Sequence, residues 1–274
     1  MTAGAQVPPE SVTASVELAG PEWQLRAKFT VPTGPTRLIQ MLPLVQAFTD
    51  AVVDSAIKGV EAQGQRVSCT AGCGACCRQL VPISEVEARH VRDLIDGLPE
   101  PRRTEIRARF AEARRRLEEA GLLEKLLSRD RWTDGEGGSF GLRYFQQGIP
   151  CPFLEAESCS IYADRPVACR EYLVTSPAEN CARPTAETVE CVKLPLKMWT
   201  AVARFDEAPP PARFIRWVPL ILALEWAEEH AEEPPLRPGP DLLRELFEYL
   251  TGRQKARTER AQSPFDEVPA PAPA

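Results

Sequence analysis

Four cysteines lie close together in the segment Cys69-Thr-Ala-Gly-Cys73-Gly-Ala-Cys76-Cys77. The thiolate form of cysteine is a strong ligand for zinc and iron, and the intervening glycine and alanine residues allow the backbone to fold tightly around one point. Buried, inert cysteines are the alternative, because free cysteine also packs well in protein cores. The spacing and the adjacent pair Cys76 and Cys77 favour a metal site.

A second block of cysteines follows some seventy residues later. It consists of Cys151-Pro-Phe-Leu, Cys159-Ser-Ile-Tyr, Arg165-Pro-Val-Ala-Cys169-Arg170-Glu-Tyr172 and finally Cys181. From about Cys69 to Cys181 the two blocks resemble the YkgJ-type cysteine-cluster family, also described as the CxxxCxxCC zinc- or iron-chelating domain. The resemblance implies a bound metal cluster, either iron–sulfur or zinc, and no particular reaction. The implied metal ligands are Cys69, Cys73, Cys76, Cys77, Cys151, Cys159, Cys169 and Cys181, whereas Cys191 lies outside the matched pattern and its role is left open.

Eight thiolates are more than one zinc ion holds, since structural zinc takes about four ligands. Adjacent cysteines would close a small ring on one ion, so we expect Cys76 and Cys77 to bind different metal atoms. Two four-cysteine sites, a polynuclear zinc centre, one or two iron–sulfur clusters, and a single cluster that uses four of the eight thiols all remain open. Buried thiolates carry negative charge that needs compensation, which Arg78, Arg165 and Arg170 are placed to supply, and Arg165 and Arg170 are predicted to be cofactor-binding residues. Simple pairing of these arginines with Asp164 or Glu171 is the alternative.

Composition is that of an ordinary globular protein, with 43% hydrophobic and 26% charged residues among 274. The net charge of −6 argues against general nucleic-acid binding. We expect no signal peptide, and the longest apolar run, residues 217–227, is too short to cross a bilayer. The prediction is therefore a cytoplasmic protein, where cysteines stay reduced and clustered thiols bind metal rather than form disulfides. The odd number of cysteines, nine, agrees with this.

The predicted fold is mainly α, with a small N-terminal β-hairpin and an irregular cysteine-ligated metal centre that joins the two blocks. Apolar residues alternate over residues 12–18 and 23–31, and the intervening Ala-Gly-Pro-Glu supplies a turn. Such a ribbon is weak alone and should lie on the helical body. Residues 11–252 are predicted to form one metal-binding domain, between a flexible N-terminus (1–10) and a disordered tail rich in proline and alanine (253–274).

Local signals place the helices. Apolar spacing predicts a helix over residues 38–60 that Gly64 ends, with an early turn or kink at Pro43, and another helix from about Thr104. Ser84 and Glu87 form a capping box at the start of a helix. The glycine-rich residues 130–150 are predicted to be a linker, or a mobile flap over the metal site. Beyond Cys191 we expect helices that close the domain: Pro219 in the first turn of one, Asp241 as the cap of the next, and Gly252 as its end.

Three classes of function agree with these features. The first, favoured by the resemblance, is an iron–sulfur protein with a redox or electron-transfer role. The second is a structural zinc module that binds a protein partner. The third is a metal-dependent protein-modifying enzyme, since flagellin lysine methylases resemble the family in their cysteine block. The spacing Cys69-x3-Cys73-x2-Cys76 also matches the radical-SAM motif, but a helix precedes it and no β/α series follows. We expect a protein partner, no general nucleic-acid binding and no membrane association.

Overall fold

The computed structural model describes residues 10–20, 23–133, 135–185, 187–205 and 215–252. The chain is mainly helical with a two-stranded antiparallel sheet near its N-terminus, so that part of the predicted fold class is confirmed. Residues 1–9 and the tail 253–274, predicted to be flexible and disordered, lie outside the described residues. So do Pro21 and Glu22 of the predicted hairpin turn. Within the described ranges, no helix is long and apolar enough to cross a bilayer.

The helices are α1 (Leu42–Ala62), α2 (Glu85–Asp96), α3 (Arg102–Glu119), α4 (Leu123–Leu127), α5 (Glu136–Gln146), α6 (Val167–Glu171), α7 (Met198–Val202), α8 (Ala223–Glu229) and α9 (Gly239–Thr251). The strands are β1 (Ser11–Ala19), β2 (Gln24–Pro32), β3 (Pro35–Thr36), β4 (Pro82–Ile83), β5 (Leu154–Glu155), β6 (Ser158–Cys159), β7 (Val218–Pro219) and β8 (Arg237–Pro238). They pair antiparallel as β1–β2, β3–β8, β4–β7 and β5–β6. Short 3₁₀ turns include Ala75–Arg78, Tyr162–Asp164 and Ala178–Ala182.

The hairpin β1–β2 lies on the helical body, as its one-sided apolar pattern predicts. Alternate residues of β2 face inward, and Phe29 and Val31 are buried while Lys28 and Thr30 are exposed. The Phe29 ring packs edge-to-face against Phe48 of α1 and Phe247 of α9, with both ring centroids 5.2 Å away. Such aromatic contacts stabilise a ribbon that would be weak alone.

Helix α1 leads into the cysteine tetrad. Pro43 lies in its first turn, where a missing N–H is tolerated, so the predicted early turn is confirmed. The helix ends at Ala62, and Gly64 follows in the left-handed region at φ 78°. A glycine adopts this conformation without the steric penalty of a Cβ atom. The chain then runs without regular structure towards Cys69.

The capping box at the start of α2 also holds the start of α6. The Glu87 carboxylate accepts from the Ser84 backbone N–H at 2.8 Å and from the Ser84 hydroxyl at 2.7 Å. Its other oxygen accepts from the Val167 backbone N–H at 2.7 Å. Glu87 is buried, so each of these hydrogen bonds is shielded from water. The carboxylate therefore fixes the helix that carries Cys169 against α2.

Residues 136–146 form helix α5, which corrects the prediction of a linker or flap over 130–150. The Glu136 carboxylate accepts from the backbone N–H and the hydroxyl of Thr133, at 2.6 and 2.8 Å, and so ties the preceding turn to the first residue of the helix. Phe140 and Tyr144 are buried on its inner face, and the Phe140 ring lies 4.8 Å from the Trp132 ring. Burial of these aromatic rings outweighs the low helix propensity of the glycines.

The C-terminal helices close the domain as expected, with two corrections at their starts. Pro219 lies in strand β7, not in a first helical turn, and α8 begins only at Ala223. Helix α9 begins at Gly239 and not at Asp241, which lies inside its first turn. A Cβ on Gly239 would lie 2.3 Å from the Pro32 carbonyl oxygen, so this residue lets α9 approach the hairpin. Gly252 ends α9 at φ 70°, as predicted.

Candidate metal centre

The cysteine tetrad folds as a tight turn followed by a 3₁₀ turn. Gly72 has φ 84°, a conformation that favours glycine, and the Cys73 backbone N–H donates to the Thr70 carbonyl at 3.2 Å. The 3₁₀ turn Ala75–Arg78 then carries both Cys76 and Cys77. The small residues between the cysteines therefore allow the predicted close winding of the backbone.

The two cysteine blocks are in direct contact. The Cys151 backbone N–H donates to the Cys77 carbonyl at 2.7 Å. On the neighbouring side, Arg78 forms a bidentate ion pair with Glu157, at 2.9 and 2.7 Å, across the tip of the β5–β6 hairpin. Gly74 lies so close to this hairpin that an added Cβ would be 2.5 Å from a Glu157 carboxylate oxygen. The tetrad thus packs on the hairpin that carries Cys159.

Helix α3 holds the other side of the β5–β6 hairpin. Arg109 of α3 donates to the Glu155 carboxylate at 2.8 Å, and Arg102 of the same helix also pairs with Glu155. In addition, the ring of Phe110 in α3 packs edge-to-face against the Phe153 ring, with centroids 5.6 Å apart. The position of the segment that carries Cys151 and Cys159 is therefore fixed by α3 as well as by the tetrad.

The segment after α6 returns to the tetrad and carries two further cysteines. The Ser68 backbone N–H donates to the Val174 carbonyl at 2.9 Å, and Val174 forms an antiparallel bridge with Cys191. The 3₁₀ turn Ala178–Ala182, which includes Cys181, packs against the tetrad turn Ala75–Arg78. Cys191 therefore lies near the tetrad. Sequence reasoning missed it because Cys181 is the last cysteine of the matched pattern.

All nine cysteines are free thiols, most of them partly buried. Burial, and to a smaller degree neighbouring thiols, raise the pKa of the Cys151 thiol to about 12 and that of Cys181 to about 11. The pKa of Cys76 is also raised, first by a hydrogen bond with the Cys77 thiol and then by burial. These thiols hold their protons until a positive charge displaces them, which is the charge that a bound metal ion supplies.

Arg165 and Arg170, the two predicted cofactor-binding residues, differ in their surroundings. Arg165 lies close enough to Cys76 and Cys159 to lower the pKa of both thiols, against the larger effect of burial on Cys159. Its guanidinium stacks over the Tyr162 ring at 4.0 Å, and its buried Nε atom has no hydrogen-bond partner among the described residues. Arg165 thus brings positive charge near two of the thiols.

Arg170 is engaged elsewhere. Its guanidinium binds both oxygens of Asp50, at 2.9 and 2.7 Å, and donates to the carbonyls of Arg165, at 3.0 Å, and Ala163. The sequence suggested Asp164 or Glu171 as the partner of this arginine, and Asp50 is neither of them. Glu171, one of those two, instead accepts hydrogen bonds from the first backbone N–H groups of α7. Among its described contacts, Arg170 holds the 163–165 loop against α1 and touches no cysteine.

The donor set fits a thiolate-bound metal in its chemistry. Reduced soft ligands from both blocks lie on segments that contact each other, and Arg165, whose buried Nε–H has no partner among the described residues, places its charge near two of them. Within the described ranges, no group of three or more His, Cys, Asp or Glu side chains has the geometry to hold a metal ion. The ligands expected here are the eight cysteines of the two blocks.

A cleft of about 890 Å³ opens beside the tetrad. Cys73 and its neighbouring glycines form one side of it, Leu142 and Phe145 of α5 form another, and Ala178 and Arg183 come from the segment around Cys181. Helix α5, in the region predicted to be a linker or flap, is therefore a wall of the cleft that leads to the cysteines.

Comparison with known proteins agrees with this site. Residues 68–192 match the family model described as "CxxCxxCC: Putative zinc- or iron-chelating domain". The match confirms, over this part of the chain, the resemblance inferred from the two cysteine blocks, and it supports metal binding without distinguishing zinc from iron. It also extends beyond Cys181 to include Cys191. Searches of curated proteins and of solved structures gave no match.

Proposed function

We propose that this chain binds an iron–sulfur cluster through cysteines of its two blocks and acts in electron transfer, in a reducing compartment such as the cytoplasm. The observation that carries the proposal is the direct joining of the blocks, with the Cys151 N–H donating to the Cys77 carbonyl at 2.7 Å. This contact joins two segments that are distant in the sequence and that both carry reduced thiols. Iron–sulfur clusters take such thiolate ligands at irregular spacings.

The residues around the thiols have separate roles in this proposal. The cysteines hold the cluster, and Arg165 supplies positive charge near Cys76 and Cys159. Hydrogen bonds and nearby positive charge of this kind raise the reduction potential of an iron–sulfur centre. In this proposal, a protein that donates or accepts electrons approaches through the cleft beside Cys73.

A structural zinc module that binds a protein partner is the second candidate, because the family description names zinc as well as iron. In that case the metal only fixes the blocks to each other, since zinc has no redox chemistry. The third class, a metal-dependent protein-modifying enzyme, would use the same cleft for a protein substrate.

The test is metal analysis with an optical spectrum on protein purified without oxygen. Iron, acid-labile sulfide and charge-transfer absorption are expected, and Cys77→Ser and Cys159→Ser should each lower the metal content. The matched control is Ser158→Ala, an exposed change in the same strand as Cys159. Stoichiometric zinc in a colourless protein would replace the proposal with the zinc module. Full metal content in both cysteine variants would refute ligation by these two blocks.

A further inference from the structure

We propose that the outer edge of strand β1 is a self-association surface, on which β1 of a second copy of this chain pairs antiparallel about Ser15. Within the described residues β1 pairs with β2 alone, so its other edge lies open. A free strand edge presents unpaired backbone N–H and C=O groups that another strand can bind. The inference goes beyond the proposed function and does not depend on the metal.

The backbone groups on the open edge belong to alternate residues of β1. At the two ends of the hairpin, the Thr33 N–H donates to the Glu10 carbonyl at 2.8 Å and the Gly20 N–H donates to the Trp23 carbonyl at 2.9 Å. In the register of the hairpin, the even-numbered residues of β1 continue this hydrogen-bonded series towards β2. The odd-numbered residues therefore direct their N–H and C=O groups away from β2, and they are Ser11, Thr13, Ser15, Glu17 and Ala19. Among the described residues, no backbone hydrogen bond from another segment reaches them.

The two edges of the hairpin differ in how they are protected against pairing. On the other edge of the sheet, the residues of β2 with outward backbone groups include Arg26, Lys28 and Pro32. Charged side chains and proline on an edge oppose pairing with a further strand, and proline has no N–H to donate. Strand β1 contains no lysine, arginine or proline, and its one charged residue, Glu17, pairs with Arg26 at 3.2 Å. The β1 edge therefore lacks the features that prevent pairing.

The exposed face of β1 is complementary to itself in charge. In an antiparallel pair about Ser15, this residue lies opposite Ser15 of the second copy, and Glu17 lies opposite Thr13. Ser11 lies opposite Ala19 in the same register. Like charges directly opposite each other destabilise a strand pair, and this register contains none. The two-fold symmetry also makes both copies use the same surface, which is the commonest arrangement of homodimers.

The inner face of β1 gives the second copy apolar contacts. Ala14, Val16 and Leu18 pack partly buried against the core, whereas Val12 on the same face is 41% exposed. In the proposed register Val12 lies opposite Leu18 of the second copy, and Ala14 lies opposite Val16. Pairing of aliphatic neighbours removes the exposed Val12 side chain from water and stabilises the dimer. Each copy contributes one strand, so the interface is small and the dimer population depends on concentration.

The experiment measures the mass of the full chain by analytical ultracentrifugation over a range of concentrations, and the wild type should be a reversible dimer. Ser15→Glu places two carboxylates opposite each other in the dimer and should raise the dissociation constant at least about fivefold. Within one copy the new carboxylate lies opposite Lys28, so the hairpin keeps its fold, which circular dichroism checks. The matched control is Ser11→Glu, the same change on the same face, which meets Ala19 and should leave the dissociation constant unchanged.

Hydrogen exchange of the wild type, mapped to residues 11–19 by mass spectrometry, is the second measurement. The outward N–H groups should become more protected as the concentration rises, because they then bond to the second copy. A wild type that stays monomeric over the whole range overturns the proposal, and so does a Ser15→Glu variant that dimerises as tightly as Ser11→Glu. Protection that is equal at every concentration would mean that another part of the same chain covers the edge, which also overturns the proposal. Metal content is measured separately, so none of these results decides the proposed function.

Discussion

Replacing Arg170 with glutamine should destabilise the fold more than it changes the metal centre. The guanidinium is 6% exposed and makes four hydrogen bonds, two to Asp50 and one each to the carbonyls of Ala163 and Arg165. Removing one partner of a buried pair typically costs about 3–5 kcal/mol. Asp50 is 48% exposed and can be hydrated again, so its share of that loss is reduced. We therefore expect unfolding free energy to fall by about 2–4 kcal/mol, mostly from the two carbonyls.

The assay is urea unfolding of the metal-free protein, with metal content measured separately. Arg165→Gln is the matched comparison, because its guanidinium contributes mainly the stack on Tyr162, worth about 0.5–1 kcal/mol at an exposed ring. That variant should retain most of its stability and lower the reduction potential of the loaded protein, since positive charge near Cys76 and Cys159 is lost. Asp50→Asn, combined with Arg170→Gln in a double-mutant cycle, isolates the ion pair.

Two results would refute this reasoning. One is an Arg170→Gln variant within about 0.5 kcal/mol of the wild type, the usual range of surface substitutions, which would mean that the 163–165 loop is not held by these contacts. The other is an Arg170→Gln variant that keeps its stability and has a shifted reduction potential. That result would mean that the Arg170 charge acts on the metal centre.

Three further predictions follow from single contacts. Gly74→Ala should cost about 1–3 kcal/mol in urea unfolding and lower metal content, because its Cβ would meet Glu157, whereas Gly59→Ala, with open space around it, should not destabilise. Glu136→Gln should lower stability at neutral pH. The hydrogen bonds from Lys125 and Thr133 lower the pKa of Glu136 from 4.5 to about 2. The difference in unfolding free energy between Glu136→Gln and the wild type should therefore vanish as the pH falls from 4.5 to about 2. The control variant Glu124→Gln, at an exposed position, should show no such pH dependence. Chelation should lower the melting temperature and leave most helical circular dichroism; an unchanged melting curve would contradict coupling of metal to folding.

The parts of the fold that local sequence determines were predictable. The hairpin follows from period-two alternation, because one buried face selects one register. The start of α2 follows from Ser84 and Glu87, which satisfy each other's backbone donors within one helical turn. The ends of α1 and α9 follow from glycines that tolerate positive φ. In each case the residues that decide the structure are close neighbours in the chain.

Partners that are distant in sequence could not be predicted in this way. Helix α5 depends on the burial of Phe140 against Trp132, which no local propensity of a glycine-rich segment reveals. Arg170 precedes Glu171 and follows Cys169, yet its charge partner is Asp50, 120 residues earlier in the chain. The sequence shows that Cys191 is a ninth thiol, but only the bridge to Val174 in the structure places it near the tetrad. The candidate site was therefore predictable in its residue types and not in its pairings.

The contacts that join the segments of the site are made by backbone groups and a carboxylate rather than by sulfur atoms. Ser68 meets Val174 and Cys77 meets Cys151 through backbone groups, and Glu87 meets the Val167 backbone through a buried carboxylate. The three cysteine-bearing segments are thus joined before any metal binds, and the thiols remain available as ligands. Because burial raises the pKa of the Cys151 and Cys181 thiols, metal must displace protons from them, so metal affinity should increase with pH. Serine at any one cysteine position should accordingly weaken metal binding while the metal-free chain keeps its fold, which separates the ligands of this centre from the contacts that build it.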